Sequence, residues 1–264
     1  PRIDSFAVSS VTTGIASVLE ENGFQLLLAD TRNTPQKELD YLDAFDEQRV
    51  DGVILIATVL SDAHTNALKN RRTPTVLIGQ RLAGVSCVYH DDYNAFYDVT
   101  RLVISKGCKK LGYIGAMDQD RAVGQDRRRA FCDAVREAGL SGQENHTVVS
   151  GFSIRSGREM AEELLDAWGP LDAVVCATDA MAVGTLQCLK SRGIQVPQQA
   201  LLTGHGHSDV ASVTTPPITT IRYYYEESGA DGANLLLDQI RHPDTPVKEI
   251  RLGYCLVERE STRR

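Results

Sequence analysis

No apolar run in this chain of 264 residues approaches the roughly 18 residues that a membrane-spanning helix needs. Positive charge is also in short supply. Lys plus Arg is 28 against 35 for Asp plus Glu, a net charge of −7. A body this acidic is not a self-sufficient nucleic-acid binder, because phosphate contacts need a basic face. If the protein touches DNA, another segment does it. No basic-then-apolar leader stands at the N-terminus, so nothing marks secretion. The six cysteines, at 87, 108, 132, 176, 188 and 255, form no CxxC pair and no tight cluster. Each lies in or beside an apolar run, as in VSCVYH and AVVCATD. They read as reduced, mostly buried thiols of a cytoplasmic protein.

Catalytic signatures are missing as well. No GxGxxG follows the early strands, and neither GxxxxGK[ST] nor GxSxG occurs, which argues against dehydrogenase, P-loop and α/β-hydrolase chemistry. His205 and His207 form an HxH pair, but a metal site needs three or four converging ligands and nothing else points at the pair. No metal or cofactor is expected. Asp91-Asp92 offers paired carboxylates for acid/base work, or a cap for a helix beginning at Tyr93. Ser9, Ser10 and Ser156 read as helix caps.

What the chain does have is alternation. Strand-like runs at Gln25–Ala29, Gly52–Ile56, Thr75–Ile78, Cys87–His90, Leu111–Ile114, Thr147–Ser150, Ala173–Ala177 and Leu201–Thr203 interleave with helical patterns. The helices are expected over Val8–Asn22, Gln36–Glu47, Tyr93–Lys106, Gln125–Ala138, Ile154–Ala167, Ala180–Arg192 and Glu226–Ile240. Gly23, Gly107, Gly139 and Gly193 stand in C-cap position. This is an α/β protein with parallel sheets flanked by helices. The length fits two smaller sheets better than one large one. A late stretch Thr219–Tyr223, one more helix and terminal strands near Val247–Leu252 and Tyr254–Arg259 suggest that the chain returns to sheets already built.

Ligands of open α/β sheets bind beyond the carboxyl ends of the strands. That makes candidates of His90-Asp91-Asp92, Gly151-Phe152, Thr178-Asp179 and Gly204-His205-Gly206-His207, and Asp92 and His205 are taken from these strand ends. Arg127, Arg128 and Arg129 open a helical pattern, where three cations oppose the helix dipole. One guanidinium pointing at an anionic or hydroxyl-rich ligand would offset that cost; salt bridges to Asp120, Asp126 or Asp133 would do so equally. Phe6, Phe152 and Tyr225 sit beside polar strand ends, where a ring can cover the C–H face of a sugar or simply pack.

Several segments together carry a resemblance. DGVILIA, CVYHDDYNAFYDVTRLVISKGCKKLGYIG, AVGQDRRRAFCDAVREAGL, VVCATDAMAVGTLQCLKSRGI and VTTPPITTIRYYYEESGADGANLLL are similar to the effector-binding core of the lac-repressor family of transcriptional regulators. PRIDSF and YHDD look most like the branch that controls sucrose or trehalose use. The resemblance implies two Rossmann-like subdomains of periplasmic-binding-protein type, joined by three crossovers, with the effector between them. Mapped onto this chain, the N-terminal subdomain is expected at 1–110 plus 222–247 and the C-terminal one at 111–221 plus 248–264. The family's first strand and its DNA-binding helix-turn-helix head would precede Pro1.

The resemblance also implies a site: Arg2, Ser5 and Phe6 in the loop facing the ligand, Arg127 gripping hydroxyls or phosphate, Phe152 as a platform, Thr178 as a polar contact and Tyr225 lining the pocket. Arg2 and Arg127 are expected to clamp one anion. Many sugar and purine binders of the family have Asp where this chain has Gly206, which implies a changed ligand orientation. The expected protein is a non-enzymatic, sugar-responsive repressor core, dimeric, cytoplasmic, and partnered by a sugar or sugar-phosphate effector and by operator DNA. A sugar-binding receptor of a transport system is the alternative.

Overall fold

The computed structural model describes residues 1–140, 142, 146–149 and 151–264. The chain divides into two units, Pro1–His90 with Tyr224–Gly253, and Asp91–Tyr223 with Tyr254–Arg264, and so passes between them three times. The first unit begins with α1 (Phe6–Glu21), α2 (Pro35–Glu47), β1 (Val53–Ile56), α3 (Asp62–Asn70), β2 (Thr75–Ile78) and β3 (Ser86–His90). The second holds α4 (Asp92–Ser105), β4 (Leu111–Gly115), α5 (Arg127–Glu137), β5 (Thr147–Val149), α6 (Ile154–Trp168), β6 (Ala173–Cys176), α7 (Asp179–Ser191), β7 (Leu201–Thr203), α8 (Asp209–Ser212) and β8 (Thr220–Tyr223). The chain then returns with α9 (Tyr225–Arg241) and β9 (Glu249–Leu252) to the first unit and ends with β10 (Tyr254–Val257) in the second.

Each unit carries a parallel sheet, in the order β1-β2-β3-β9 in the first and β5-β4-β6-β7 in the second. Strands β8 and β10 add a separate antiparallel pair. Strands β2, β4, β6 and β7 are buried along their whole length, which fits parallel strands covered on both faces. In the first unit Val53 and Leu55 pack with Leu42 of α2 and Leu68 of α3, while Ile54, Ile56 and Ile78 face Val11 and Ile15 of α1 and Leu237 of α9. In the second, Leu111, Tyr113, Ile114, Phe131, Leu164, Met181, Leu189 and Leu201 are almost fully buried.

Four expectations are corrected. Gln25–Ala29 forms no strand: it has no ladder partner, leaves Leu26, Leu27 and Leu28 exposed, and lines a cavity of about 330 Å³ with residues of α1, α2 and β1. Residues 91–110, expected in the first subdomain, group with the second, since α4 packs on α5 and contacts β10, and so do Arg222 and Tyr223, which pair with β10 as the end of β8. Residues 248–253 go the other way, because β9 pairs with β3. Ser9 and Ser10 lie inside α1 and cap nothing, whereas Ser156 forms a capping box with Ser153. Ser150, the expected end of β5, lies outside the described residues. Helix α3 was not anticipated; its start signal is Ser61, which accepts from the His64 amide. Four of the six cysteines are buried, Cys132 is half-buried and Cys255 is exposed.

Candidate functional site

The polar residues that gather at one place do so at the carboxyl end of the second unit's sheet. Helix α4 starts directly after β3, and Asp91 caps it by accepting from the Asn94 amide at 3.4 Å and from Asn94 Nδ2 at 2.8 Å. The cap is thus Asp91, and Asp92 in the first turn is left to do something else. The chain after β4 makes a π-helical turn, Arg121–Asp126, before α5 begins. Asp120 caps that turn by accepting from the Val123 amide at 3.0 Å. Gly124 is obligatory there, because a Cβ would stand 2.1 Å from the Met117 carbonyl oxygen. π-Helical turns recur at functional sites, since the extra residue re-aims a side chain. Here it delivers Arg127 inward, 6% exposed, while Arg128 and Arg129 stay on the surface with Asp118 and Asp126. The helical hydrogen bonding starts a turn and a half earlier than Arg127, so the guanidinium does not oppose a helix N-terminus.

Arg127 is held on three sides. Its Nε and Nη2 donate to Asp92 Oδ1 at 2.8 and 2.6 Å, and Nη1 donates to the Ala177 carbonyl at the end of β6. The Tyr223 ring lies under it at 5.4 Å, and the Tyr223 hydroxyl donates to the same Asp92 Oδ1 at 3.2 Å. A charged pair this deeply buried persists only when further hydrogen bonds, such as those from Tyr223 and to Ala177, hold it in place. His205 completes the cluster. It is 3% exposed, stacks on Phe96 at 4.5 Å and lies 6.1 Å from the Tyr223 ring. Burial first, and then the Arg127 charge, push its pKa well below the ordinary 6.5, against a weaker pull from the backbone of Gly204 and Cys176; the ring is neutral.

The loop that presents His205 is tied down by Asp179. The carboxylate accepts from the Ser208 amide at 2.7 Å, the Ser208 hydroxyl at 2.9 Å and the Thr220 hydroxyl at 2.6 Å. Its own amide donates to the His205 carbonyl at 2.8 Å. Burial nonetheless raises the Asp179 pKa above its ordinary value. Thr178 caps α7, its hydroxyl accepting from the Met181 amide at 3.2 Å. That bond uses a lone pair and leaves the hydroxyl proton for a further acceptor. Phe152 is exposed just before α6, as a ligand platform requires.

In the first unit Phe6 and His90 gather around Tyr225. Phe6 meets its ring edge-on at 6.3 Å and His90 at 5.2 Å. Ser5 occupies the N-cap position of α1 without a side-chain cap bond. Arg2 is exposed and bonded to Asp4 at 2.9 and 2.5 Å. Both arginines of the expected anion clamp are therefore paired with carboxylates, Arg2 with Asp4 and Arg127 with Asp92. Sequence reasoning missed Tyr223, the Ala177 carbonyl and the bracing role of Asp179. The HxH pair does not act together: His205 faces Phe96, whereas His207 faces Arg259 at 3.4 Å. Among the described residues no three His, Cys, Asp or Glu side chains converge on a metal position.

Comparison with known proteins bears on the whole chain. Residues 100–262 match the periplasmic binding protein-like domain family. The HTH-type transcriptional regulator CelR of Thermobifida fusca is 30% identical over 259 residues, 96% of this chain and 75% of its own length. The chain belongs to the lac-repressor family of transcriptional regulators. The sucrose operon repressor of Staphylococcus xylosus is 28% identical over 247 residues, covering 92% of this chain and 74% of that protein. Among solved structures, the transcription regulator CcpA of Lactococcus lactis superposes with a TM-score of 0.91 at 27% identity, over 100% of this chain and 97% of that one. A CelR–cellobiose complex gives 0.89 at 29% identity, over 97% and 79%. The chain is the ligand-binding core of a regulator of this family, and its relatives are regulators rather than enzymes or transport receptors. No described helix is long and apolar enough to cross a membrane.

Proposed function

We propose that this core senses a sugar and reports it to operator DNA as part of a transcriptional repressor. The observation that carries the reading is the Asp92–Arg127–Tyr223 cluster. It is a buried, hydrogen-bonding assembly at the strand ends of a parallel sheet, where ligands of such sheets bind. A relative named as a sucrose operon repressor and another solved in complex with cellobiose favour a sugar as the ligand. Phe152, Thr178 and His205 in the second unit, and Ser5, Phe6 and Tyr225 in the first, are the further proposed contacts. The mechanism is a population shift. The effector binds one conformation of the core more tightly, and a hundredfold preference amounts to about 2.7 kcal/mol of bias. The operator is read by a helix-turn-helix head of the kind after which the relatives are named, and the acidic core leaves DNA contacts to it. The working form is a homodimer in the cytoplasm.

Titration calorimetry with sucrose, trehalose and cellobiose tests this directly. At least one sugar is expected to bind, and Arg127→Ala is expected to weaken it by about tenfold or more, because Asp92 then loses the guanidinium that holds its carboxylate in position. Silence across a wider panel of mono- and disaccharides would overturn sugar sensing.

A further inference from the structure

The two oxygens of the Asp92 carboxylate are used unequally. Oδ1 accepts three hydrogen bonds, from Arg127 Nε, Arg127 Nη2 and the Tyr223 hydroxyl. Oδ2 accepts none from the described residues. The pair as a whole carries no net charge, since the one negative charge of Asp92 cancels the one positive charge of Arg127. The imidazole of His205 beside it is neutral as well. The site therefore offers a ligand an acceptor oxygen beside an already balanced guanidinium.

Two ligand classes respond to that oppositely. A sugar hydroxyl both donates and accepts, so it can give its proton to Oδ2 without bringing charge. A phosphate ester carries about −1.5 to −2 charges near neutral pH and presents only acceptor oxygens. It would set acceptor against acceptor and add negative charge beside a buried carboxylate, where screening by water is weak. We infer that Asp92 is the specificity-determining residue of this site: it commits the Arg127 charge through Oδ1, takes a ligand hydroxyl on Oδ2, and so selects an uncharged polyol over its phosphate ester. This deepens the proposed function and rests on it. It stands in place of the anion clamp of Arg2 and Arg127 that the family resemblance implied.

The test is calorimetry on the whole chain with matched pairs, sucrose and sucrose 6-phosphate, trehalose and trehalose 6-phosphate, together with inorganic phosphate. In the wild type the neutral member of whichever pair binds is expected to be at least tenfold tighter, and inorganic phosphate silent. Asp92→Asn keeps the side-chain volume but releases the Arg127 charge, so the neutral-to-ester affinity ratio should fall at least tenfold. Tyr223→Phe loosens the same carboxylate without altering its charge, and should leave the ratio unchanged even if both affinities drop. A role in packing alone would move both variants alike. An ester as tight as its parent sugar in the wild type, or an unchanged ratio in Asp92→Asn, overturns the assignment. Should Asp92→Asn fail to fold, Asp92→Ser, which also releases the Arg127 charge, is read in its place and should show the same fall in the ratio. If an ester wins, sensing of a sugar derivative survives and only the role of Asp92 falls. If no sugar or ester binds, the proposed function falls and takes this inference with it.

Discussion

A histidine buried as deeply as His205, with no well-aligned hydrogen-bond partner for either ring nitrogen among the described residues, makes the fold sensitive to acid. Burial and Arg127 hold its folded pKa well below the ordinary 6.5. Below pH 6.5 the unfolded chain therefore binds a proton that the folded chain refuses. The contribution is complete above pH 6.5 and is lost as pH falls, at up to about 1.4 kcal/mol per pH unit for one proton. Asp179 acts with the opposite sign, since its folded pKa is raised above 3.8 and it favours the folded state at low pH. A variant isolates the histidine. Between pH 7 and pH 5.5, urea unfolding should show the wild type losing about 1 kcal/mol relative to His205→Phe; parallel pH profiles would show that the ring protonates normally. Residue identity at this scale is only partly legible in sequence. The RRR run drew attention to Arg127, and strand-end spacing to Asp92 and His205. The bonds that define their roles span 35 residues from Arg127 to Asp92, 50 to Ala177, and 131 from Tyr223 to Asp92, and no local pattern encodes such pairings.

Elements are more legible, because hydrophobic period and capping residues are local. Gly107 and Gly139 end α4 and α5 at φ 86° and 71°, a backbone conformation that their positions after the last helical turn already suggested. Where an element depends on a distant partner the reading fails. Gln25–Ala29 has the composition of a strand but no ladder to join, and the π-helical turn before Arg127 is hidden in a pattern that reads as plain helix. The contact of α1 with α9 shows what a sequence hints at without explaining. A glycine inside a helix costs roughly 1 kcal/mol relative to alanine, which implies a compensating use. A Cβ on Gly14 would come 1.9 Å from the Glu226 carbonyl oxygen, and one on Gly229 would come 2.0 Å from that of Val11. The two backbones touch at these points. Gly229→Ala should therefore destabilise the protein by about 1–3 kcal/mol, despite the better helix propensity of alanine. Thermal and urea unfolding would show it; a neutral or stabilising outcome would mean that the helices do not approach so closely.

At the scale of the molecule, strand–helix alternation points to parallel sheets flanked by helices, and the chain length to two of them. It could not place the crossings. They fall after His90, Tyr223 and Gly253, at junctions where composition does not change, and so the expected boundaries miss residues 91–110, 222–223 and 248–253. The proposed dimer is testable on the same whole-molecule footing. If unfolding is coupled to dissociation, mass action makes the melting temperature rise with protein concentration; a monomer melts at one temperature at every concentration. Over a hundredfold range of chain concentration the melting temperature is expected to climb, with sedimentation showing a twofold mass at the upper end. An effective sugar at a hundred times its dissociation constant should add a further stabilisation of about 2.7 kcal/mol, provided that it binds only the folded state. A transport receptor predicts the second effect without the first. Ligand stabilisation on a concentration-independent melt would thus leave sugar binding in place and remove the dimer through which a repressor reaches two operator half-sites.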